Sequence, residues 1–360
     1  MNSLYDLVKS GNVFSFKYGD TILKVIPLSD ATCWDEVVQK YNYDVYFRSG
    51  YMKSFDGYSD GLGAAIDISF GQFHFFEPFR VRKIIGEPDY CDVSSEYGYA
   101  GPILIGDEEF LSRALEILKA FFIEHRVVSG FVRYHPLLQN ESIVRNHRNI
   151  VHCGQTISMD TNKPFDGILM SIASKKRSDY RRALKKGTTV RLGGLDDVPA
   201  FYDVYRQSMK HASASNFYFL SEDFFKNTLT NLKDNSFMLL AEFEGVVVGA
   251  SIFLFSKDFM HYHFSGKNVE WSESSKANGT TVILCQAAKI ASEMGVKQMH
   301  LGGGVGGCED PLFEFKKCFS NTTNSFFVSK DIYLPQKYSE LCEKAGKSPS
   351  DCSFFPVYRG

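Results

Sequence analysis

The sequence predicts a mixed α/β protein built from two similar units, and three observations carry that expectation. The second half reads strand, two helices, three antiparallel strands, helix, strand, helix, strand; the first half gives nearly the same order. Only the second copy closes on a glycine-rich stretch, His300-Leu-Gly-Gly-Gly-Val-Gly-Gly-Cys-Glu-Asp-Pro-Leu-Phe-Glu-Phe-Lys-Lys-Cys-Phe319. At 360 residues the chain is also long enough for two domains at roughly 100 to 200 residues each.

In the second half, Val190 to Gly193 reads as a short strand, and Asp197 to Ala212 and Ser221 to Leu232 as helices. The second helix opens with Ser221-Glu-Asp, an N-cap hydroxyl followed by first-turn acids. Phe237 to Glu244 and Val246 to Phe255 flank a Glu-Gly turn and form a hairpin, with Phe259 to Ser265 as the third strand. Apolar residues at 283, 284, 287, 288, 291 and 294 keep helical spacing until Gly295 stops them. Strand Gln298 to Leu301, the glycine loop, a Phe313 to Phe319 helix and strand Ser325 to Leu334 follow.

The first half offers strand Leu23 to Leu28, helix Asp30 to Tyr41, strands Gly63 to Phe70 and Gln72 to Ile84, and an extended piece from Tyr97 to Ile105. Helix Glu108 to His125, strand Val128 to Tyr134, helix Asn140 to Arg148 and strand Val151 to Met159 complete it. Pro164 disfavours helix before it and the pattern restarts after it, which gives units 1–163 and 164–360. The tail from Cys342 reads as polar chain packed along the surface through Phe354, Phe355 and Tyr358.

Composition excludes several classes. Hydrophobic residues make up 44% with 32 Phe and 19 Tyr, too much apolar bulk for a disordered or fibrous chain. A formal charge of −2 gives no general pull toward DNA or an anionic membrane, so a charged partner must meet a local patch. The start, Met1 to Asp20, lacks a secretory pattern, and the longest apolar run, Val246 to Phe255, is half of what a spanning helix needs. The expectation is a cytoplasmic protein with no integral membrane contact. Eight cysteines without a Cys-x-x-Cys pair read as reduced thiols.

Five glycines between Gly302 and Gly307 leave backbone amides open to a ligand, and Lys316 follows on an aromatic-basic helix. Acyl transfer to an amine needs an oxyanion stabilised and a proton removed; Lys316, or the amides of Gly302 to Gly304, suits the first need. His261 and His263, two apart in a strand, face one way, and His263, nearer the strand end, is the candidate base. No third and fourth ligand at metal spacing accompanies them, so no metal is expected. Cys308 has no histidine tied to it by spacing, which leaves covalent catalysis unsupported.

The run Lys175-Lys-Arg-Ser-Asp-Tyr-Arg-Arg-Ala-Leu-Lys-Lys186 sets Arg177, Arg181 and Lys185 on one helical ridge, suited to phosphate or to plain solvation. A serine cap ahead and Gly187 behind frame that helix. In the first copy Arg48, Tyr51 and Lys53, with Tyr97 and Tyr99, offer aromatic faces for a sugar and cations for phosphate or carboxylate; they suit rim residues equally.

This order of elements resembles the GNAT acyltransferase fold. Tandem copies ending in a glycine strand and a Phe-Lys helix, together with Tyr46-Phe-Arg-Ser-Gly-Tyr-Met-Lys-Ser-Phe55, Tyr97-Gly-Tyr-Ala-Gly-Pro102, Val132-Arg-Tyr-His-Pro136 and Phe355-Pro-Val-Tyr-Arg359, resemble the Fem-like peptidyltransferases and BioF2-like acetyltransferase domain proteins. The resemblance implies two tandem GNAT-like units, the first on the acceptor side and the second on the donor and catalytic side. It implies transfer of an acyl group from acyl-CoA, or alternatively from aminoacyl-tRNA, to an amine on a saccharide or cell-envelope precursor. Phe315-Lys316 matches the Phe-Lys pair that meets the activated ester in Fem proteins, and donor contacts fall to Asn278, Gly279, Thr280, Gly303 and Gly304. Two features depart from the family. Ser274-Ser-Lys-Ala-Asn-Gly-Thr-Thr281 replaces the usual Arg or Gln before spaced glycines, and the long two-helix arm of some Fem proteins is missing. An inactive binding module that keeps the groove is the remaining alternative.

Overall fold

The computed structural model describes residues 3–41, 43–274, 277–351 and 354–360; Ser275, Lys276 and Cys352 lie outside the described residues. The chain forms two compact units, one from Met1–Asn42, Tyr46–Cys153 and Phe326–Gly360, the other from Tyr43–Val45 and Gly154–Ser325. The expected division at 163/164 differs from this one, because the sequence after residue 325 returns to the first unit.

Along the chain the first copy supplies α1 (Leu4–Lys9), β1 (Phe14–Tyr18), β2 (Thr21–Pro27), α2 (Ala31–Lys40), α3 (Ser49–Ser54), β3 (Leu62–Phe70), β4 (Phe73–Ile84) and β5 (Glu87–Ser94). It continues with β6 (Ile103–Ile105), α4 (Glu108–Glu124), β7 (Val127–Arg133), α5 (Glu141–Val144) and β8 (Ile150–Asp160). The second copy supplies α6 (Phe165–Ser171), α7 (Ser174–Lys185), β9 (Thr189–Gly193), α8 (Val198–His211), α9 (Glu222–Asn231), β10 (Ser236–Phe243), β11 (Val246–Phe255) and β12 (Phe259–Lys267). Then come α10 (Val269–Ser274), α11 (Gly279–Glu293), β13 (Gln298–Gly302), α12 (Pro311–Lys317), β14 (Thr322–Ile332) and α13 (Pro335–Lys344).

Both sheets follow one plan. In the first unit β1 to β5 pair antiparallel in sequence order, β5 pairs parallel to β7, and β7 pairs antiparallel to β14. In the second unit β9 to β12 pair antiparallel, β12 pairs parallel to β13, and β13 pairs antiparallel to β8. Each sheet is therefore closed by the strand that ends the other copy of the sequence.

Local chemistry explains the elements. Glu244 and Gly245 both take positive φ, 51° and 78°, the geometry of a tight hairpin that matches strand twist. Ser221 caps α9 by accepting from the Phe224 amide at 3.2 Å. On α11 the side chains of Ile283, Leu284, Ala287, Ala288 and Ala291 are all buried and pack with Leu239, Phe253, Met260 and Met299 of the sheet. In the first unit Phe121 and Phe122 of α4 are buried with Val25, Ile66, Phe75 and Val81. No helix among the described residues is long and apolar enough to cross a membrane.

Strand β5 escapes the sequence reading, which placed an extended piece at 97–105, where only β6 is strand. Its sequence, Glu-Pro-Asp-Tyr-Cys-Asp-Val-Ser, is too polar to signal an interior strand. The fold tolerates it because Asp92, fully buried, meets Arg82 Nε at 2.6 Å, Arg359 Nε at 2.6 Å and Tyr358 Oη at 3.0 Å. The tail is also more than a surface wrap: α13 forms, Tyr338 and Val357 are buried, and Phe354 is exposed. The helix α7 is not capped by serine; Ala173 holds the N-cap position and Ser174 begins the helix. The seven cysteines among the described residues are unpaired.

Candidate functional site

The second unit contains a place where its sheet opens. Strands β12 and β13 pair only through Phe259↔Gln298, Met260↔Met299 and His261↔His300. Past that rung each strand carries a bulge against its other neighbour, β12 between Tyr262 and Phe264, β13 between His300 and Gly302. A bulge adds one residue to one side and turns the strand away, so the two parallel strands part after His261 and His300. The parted edges expose backbone amides and carbonyls that the sheet ladder no longer uses.

The glycine loop leaves β13 at this opening. Gly302 (φ 78°), Gly306 (φ 63°) and Gly307 (φ 85°) take left-handed conformations, which makes glycine the fitting residue there. Close approach decides others: a Cβ on Gly303 would stand 2.7 Å from the Gln155 carbonyl oxygen, and one on Gly304 would strike the Cys308 carbonyl and the Asp310 carboxylate. Asp310 organises the loop, accepting from the Val305 amide at 2.9 Å and, as N-cap of α12, from the Phe313 amide at 2.8 Å. Burial pulls its carboxyl upward, but the amides of Val305, Phe313 and Leu312 hold it below the usual carboxylate range. Gly302, Gly303 and Gly304 remain half-buried and Val305, Gly306 and Cys308 exposed, so the loop is not sealed in the interior.

Helix α12 turns Lys316 inward. Its Nζ donates to the Gly303 carbonyl at 2.6 Å, and the side chain is 8% exposed. Burial lowers its pKa to about 8 against the upward pull of Asp310. Neighbouring Phe315 packs on Phe319, ring centroids 5.3 Å apart, and Lys176 of α7 lies over the Phe315 ring at 4.6 Å. Lys316 thus meets the glycine loop at Gly303, while Phe315 packs between Phe319 and Lys176.

The histidines behave differently from expectation. The bulge falls at His263, so the simple two-residue alternation from His261 does not run through it. Burial lowers the His263 pKa to about 3, with His261 contributing, and leaves a neutral ring of little basicity. His261, 1% exposed, instead holds Asp44: Nε2 lies 2.8 Å from Oδ2, while Ser256 Oγ donates to Oδ1 at 2.6 Å. His300 stands edge-on to His261 at 5.6 Å between ring centroids, and its Nε2 lies 2.9 Å from Thr156 Oγ1. Sequence reasoning missed Asp44, Ser256, Thr156 and His300. Nothing local marks Asp44, whose segment 43–45 belongs to the second unit although its neighbours in sequence belong to the first.

Of the expected donor contacts, Asn278 takes a left-handed conformation (φ 52°) before α11 and Gly279 lies against Val248, a Cβ there meeting its Cγ2 at 3.0 Å. Asn278 and Thr280 remain half-buried. On α7, Arg177 is spent within the fold, its Nη1 donating to the carbonyls of Met170 at 2.9 Å and Ile172 at 2.5 Å, whereas Arg181 and Lys185 are exposed.

Within the first unit, Tyr51 is a core residue, 1% exposed, and its hydroxyl donates to the Tyr97 carbonyl, so it offers no face to an acceptor. Tyr97 and Tyr99 are half-buried; Tyr99 sits in an aromatic group with Tyr46 at 5.5 Å and His135 at 5.8 Å. Arg48 directly precedes α3, and Lys53 is exposed.

Residues 174–317 match the family model described as acetyltransferase (GNAT) domain. A crystal structure of FemX superposes with a TM-score of 0.68 at 13% identity, covering 90% of this chain and 98% of that one. A conserved protein of unknown function from Bacteroides thetaiotaomicron gives 0.52 at 11% identity, covering 78% and 89%. A tandem GNAT protein from the clavulanic acid biosynthesis pathway gives 0.46 at 9%, covering 86% and 98%. No curated protein matches the sequence. The mixed α/β fold of tandem GNAT-like units is the one expected.

Proposed function

We propose that this chain, whose residues 174–317 match an acetyltransferase (GNAT) domain and whose fold is shared with FemX, moves an acyl group from a thioester donor of the acyl-CoA type to an amine on a saccharide or cell-envelope precursor. The observation that carries the reading is the parting of β12 and β13 beside the glycine loop, with the Lys316 ammonium held against Gly303. The donor's acyl group lies along the parted strand edges, where main-chain groups hold it in register. The amine attacks the carbonyl carbon directly, a tetrahedral oxyanion forms, the C–S bond breaks and the thiolate leaves.

Each residue has a task in that sequence. Lys316 and the amides near Gly303 and Gly304 stabilise the oxyanion, an effect of about 3 kcal/mol for one donor. Phe315 keeps α12 seated so that Lys316 stays in place. His261, oriented by Asp44, takes the proton that the attacking nitrogen loses, a role assigned here to His261 rather than His263. With so little of His261 exposed, the amine must reach it from inside the slot. Tyr97, Tyr99, Arg48 and Lys53 serve acceptor recognition.

A second reading takes the acyl group from aminoacyl-tRNA, as the resemblance to Fem-type transferases implies. It is favoured by the start of α11, where no Arg or Gln stands among the described residues before the helix and Gly279 is closed against Val248. Thermal unfolding with acetyl-coenzyme A and with charged tRNA separates the two. The true donor at about one hundred times its Kd should add about 2.7 kcal/mol of stability. Protection by neither, with tight saccharide binding and no transfer, would leave an inactive module.

A further inference from the structure

Helix α7 carries a charge pattern that the transfer chemistry leaves unused. Residues 174–186 hold seven lysines and arginines against one carboxylate, in a chain whose formal charge is −2. That carboxylate, Asp179, is buried and paired with Arg182. Lys175, Arg181, Arg182, Lys185 and Lys186 are exposed. Arg177, turned back onto the Met170 and Ile172 carbonyls, fixes the corner between α6 and α7 and leaves Met170 64% exposed there. Leu184 is 44% exposed and follows Arg177 and Arg181 at the spacing that keeps residues on one helical flank. An exposed aliphatic tip therefore stands at each end of α7, Met170 at the α6–α7 corner and Leu184 near its last turn, with the densest cations of the protein between and beside them.

That mixture selects among polyanions. RNA rewards cations and stacking rings, and gains nothing from exposed methionine and leucine. A bilayer interface rewards both parts, cations at lipid phosphates and aliphatic tips at the acyl boundary. We propose that the α6–α7 corner is a peripheral docking face for an anionic lipid bilayer, with Arg181, Lys185 and their neighbours on the headgroups and Met170 and Leu184 dipping below them. Docking of this kind needs no spanning helix. It would hold the transferase at a surface where lipid-borne acceptors are concentrated, but it does not rest on the donor or on the chemistry proposed above.

Co-sedimentation of the full chain with vesicles tests it, using phosphatidylcholine alone and phosphatidylcholine mixed with phosphatidylglycerol. Binding should be about tenfold or more tighter to the mixed vesicles at low salt and should fade at high salt. Arg181→Glu combined with Lys185→Glu should weaken it about tenfold or more, and Leu184→Asp or Met170→Ser should each weaken it several-fold with an unchanged melting curve. Lys316→Ala should lower transfer about 10²-fold and leave vesicle binding intact, which keeps failure of the chemistry distinct from failure of the docking face. Equal binding to both vesicle types, no binding to either, or binding indifferent to the α7 substitutions would overturn the proposal. So would a single-stranded oligoribonucleotide that depends on Arg181 and Lys185 while vesicles do not bind.

Discussion

His261 Nε2 lies 2.8 Å from Asp44 Oδ2, joining residues 217 apart in sequence on the last rung that β12 shares with β13. A carboxylate in that position fixes the orientation of the ring and which of its nitrogens carries the proton. Ser256 Oγ donates a further hydrogen bond to the same carboxylate at 2.6 Å, which helps hold it in place.

Replacing either member should be felt in the chemistry. His261→Asn and Asp44→Asn are expected to lower kcat by about 10² or more, the usual range for loss of general-base help. His263→Gln, by contrast, should cost less than about tenfold, since burial already keeps that ring neutral and weakly basic. Steady-state kinetics on the three variants check this; a larger loss at His263 than at His261 would return the base to His263.

The pKa of Lys316, lowered to about 8, gives a pH signature. Transfer that needs its ammonium should fall as pH rises through about 8, while Lys316→Ala should lose about 10²-fold and the falling limb with it. Stability has the opposite sign. Below about 8 the lysine is charged in both folded and unfolded chains, and between about 8 and 10.5 the unfolded chain binds more protons, so stability rises with pH across that window. The gain is on the order of 3 kcal/mol, read from denaturant unfolding at several pH values in wild type and Lys316→Met.

The loop glycines should divide by space. Gly304→Ala drives a methyl into the Cys308 carbonyl and the Asp310 carboxylate, and Gly154→Ala drives one into the Gly307 carbonyl. Each should cost about 2 kcal/mol or more and most of the activity. Gly306→Ala, with nothing within 4 Å of the added Cβ, meets only the left-handed backbone penalty of about 1 kcal/mol. Thermal melts of the three variants give the order.

Removing the tail after Phe354 should destabilise the first unit. Arg359 and Tyr358 would no longer meet Asp92, leaving a buried carboxylate with Arg82 alone. The expected loss is about 3 kcal/mol or more, measured by denaturant unfolding. Arg359→Lys keeps the charge but not the fork geometry and should fall between wild type and the truncation.

The parts of the fold legible in sequence are those whose side chains report their own surroundings. Helix α11 shows its buried face through 283, 284, 287, 288 and 291, and the β10–β11 hairpin shows its turn through Glu244-Gly245. The Phe315-Lys316 pair and the loop glycines were legible for the same reason, being contiguous. Strand β5 was not, because Asp92 is made tolerable by Arg359, 267 residues away. Asp44 was not, because a lone aspartate beside Tyr43 carries no sign of a histidine so distant. Pro164 stands where the sequence pattern restarts, whereas the compact units follow which strand closes each sheet, and a repeat in sequence need not close on its own strand.

The exchange of closing strands bears on how the chain is made. Residues 46–153 leave the ribosome before residues 326–360, so β7 stays without β14, and Asp92 without Arg359, until the later segment has been synthesised. For most of translation the nascent chain carries a raw sheet margin open to pairing with any passing strand, the hazard that unpaired edges pose. Slowing the ribosome just before residue 326 should therefore raise aggregation more than slowing it after residue 360.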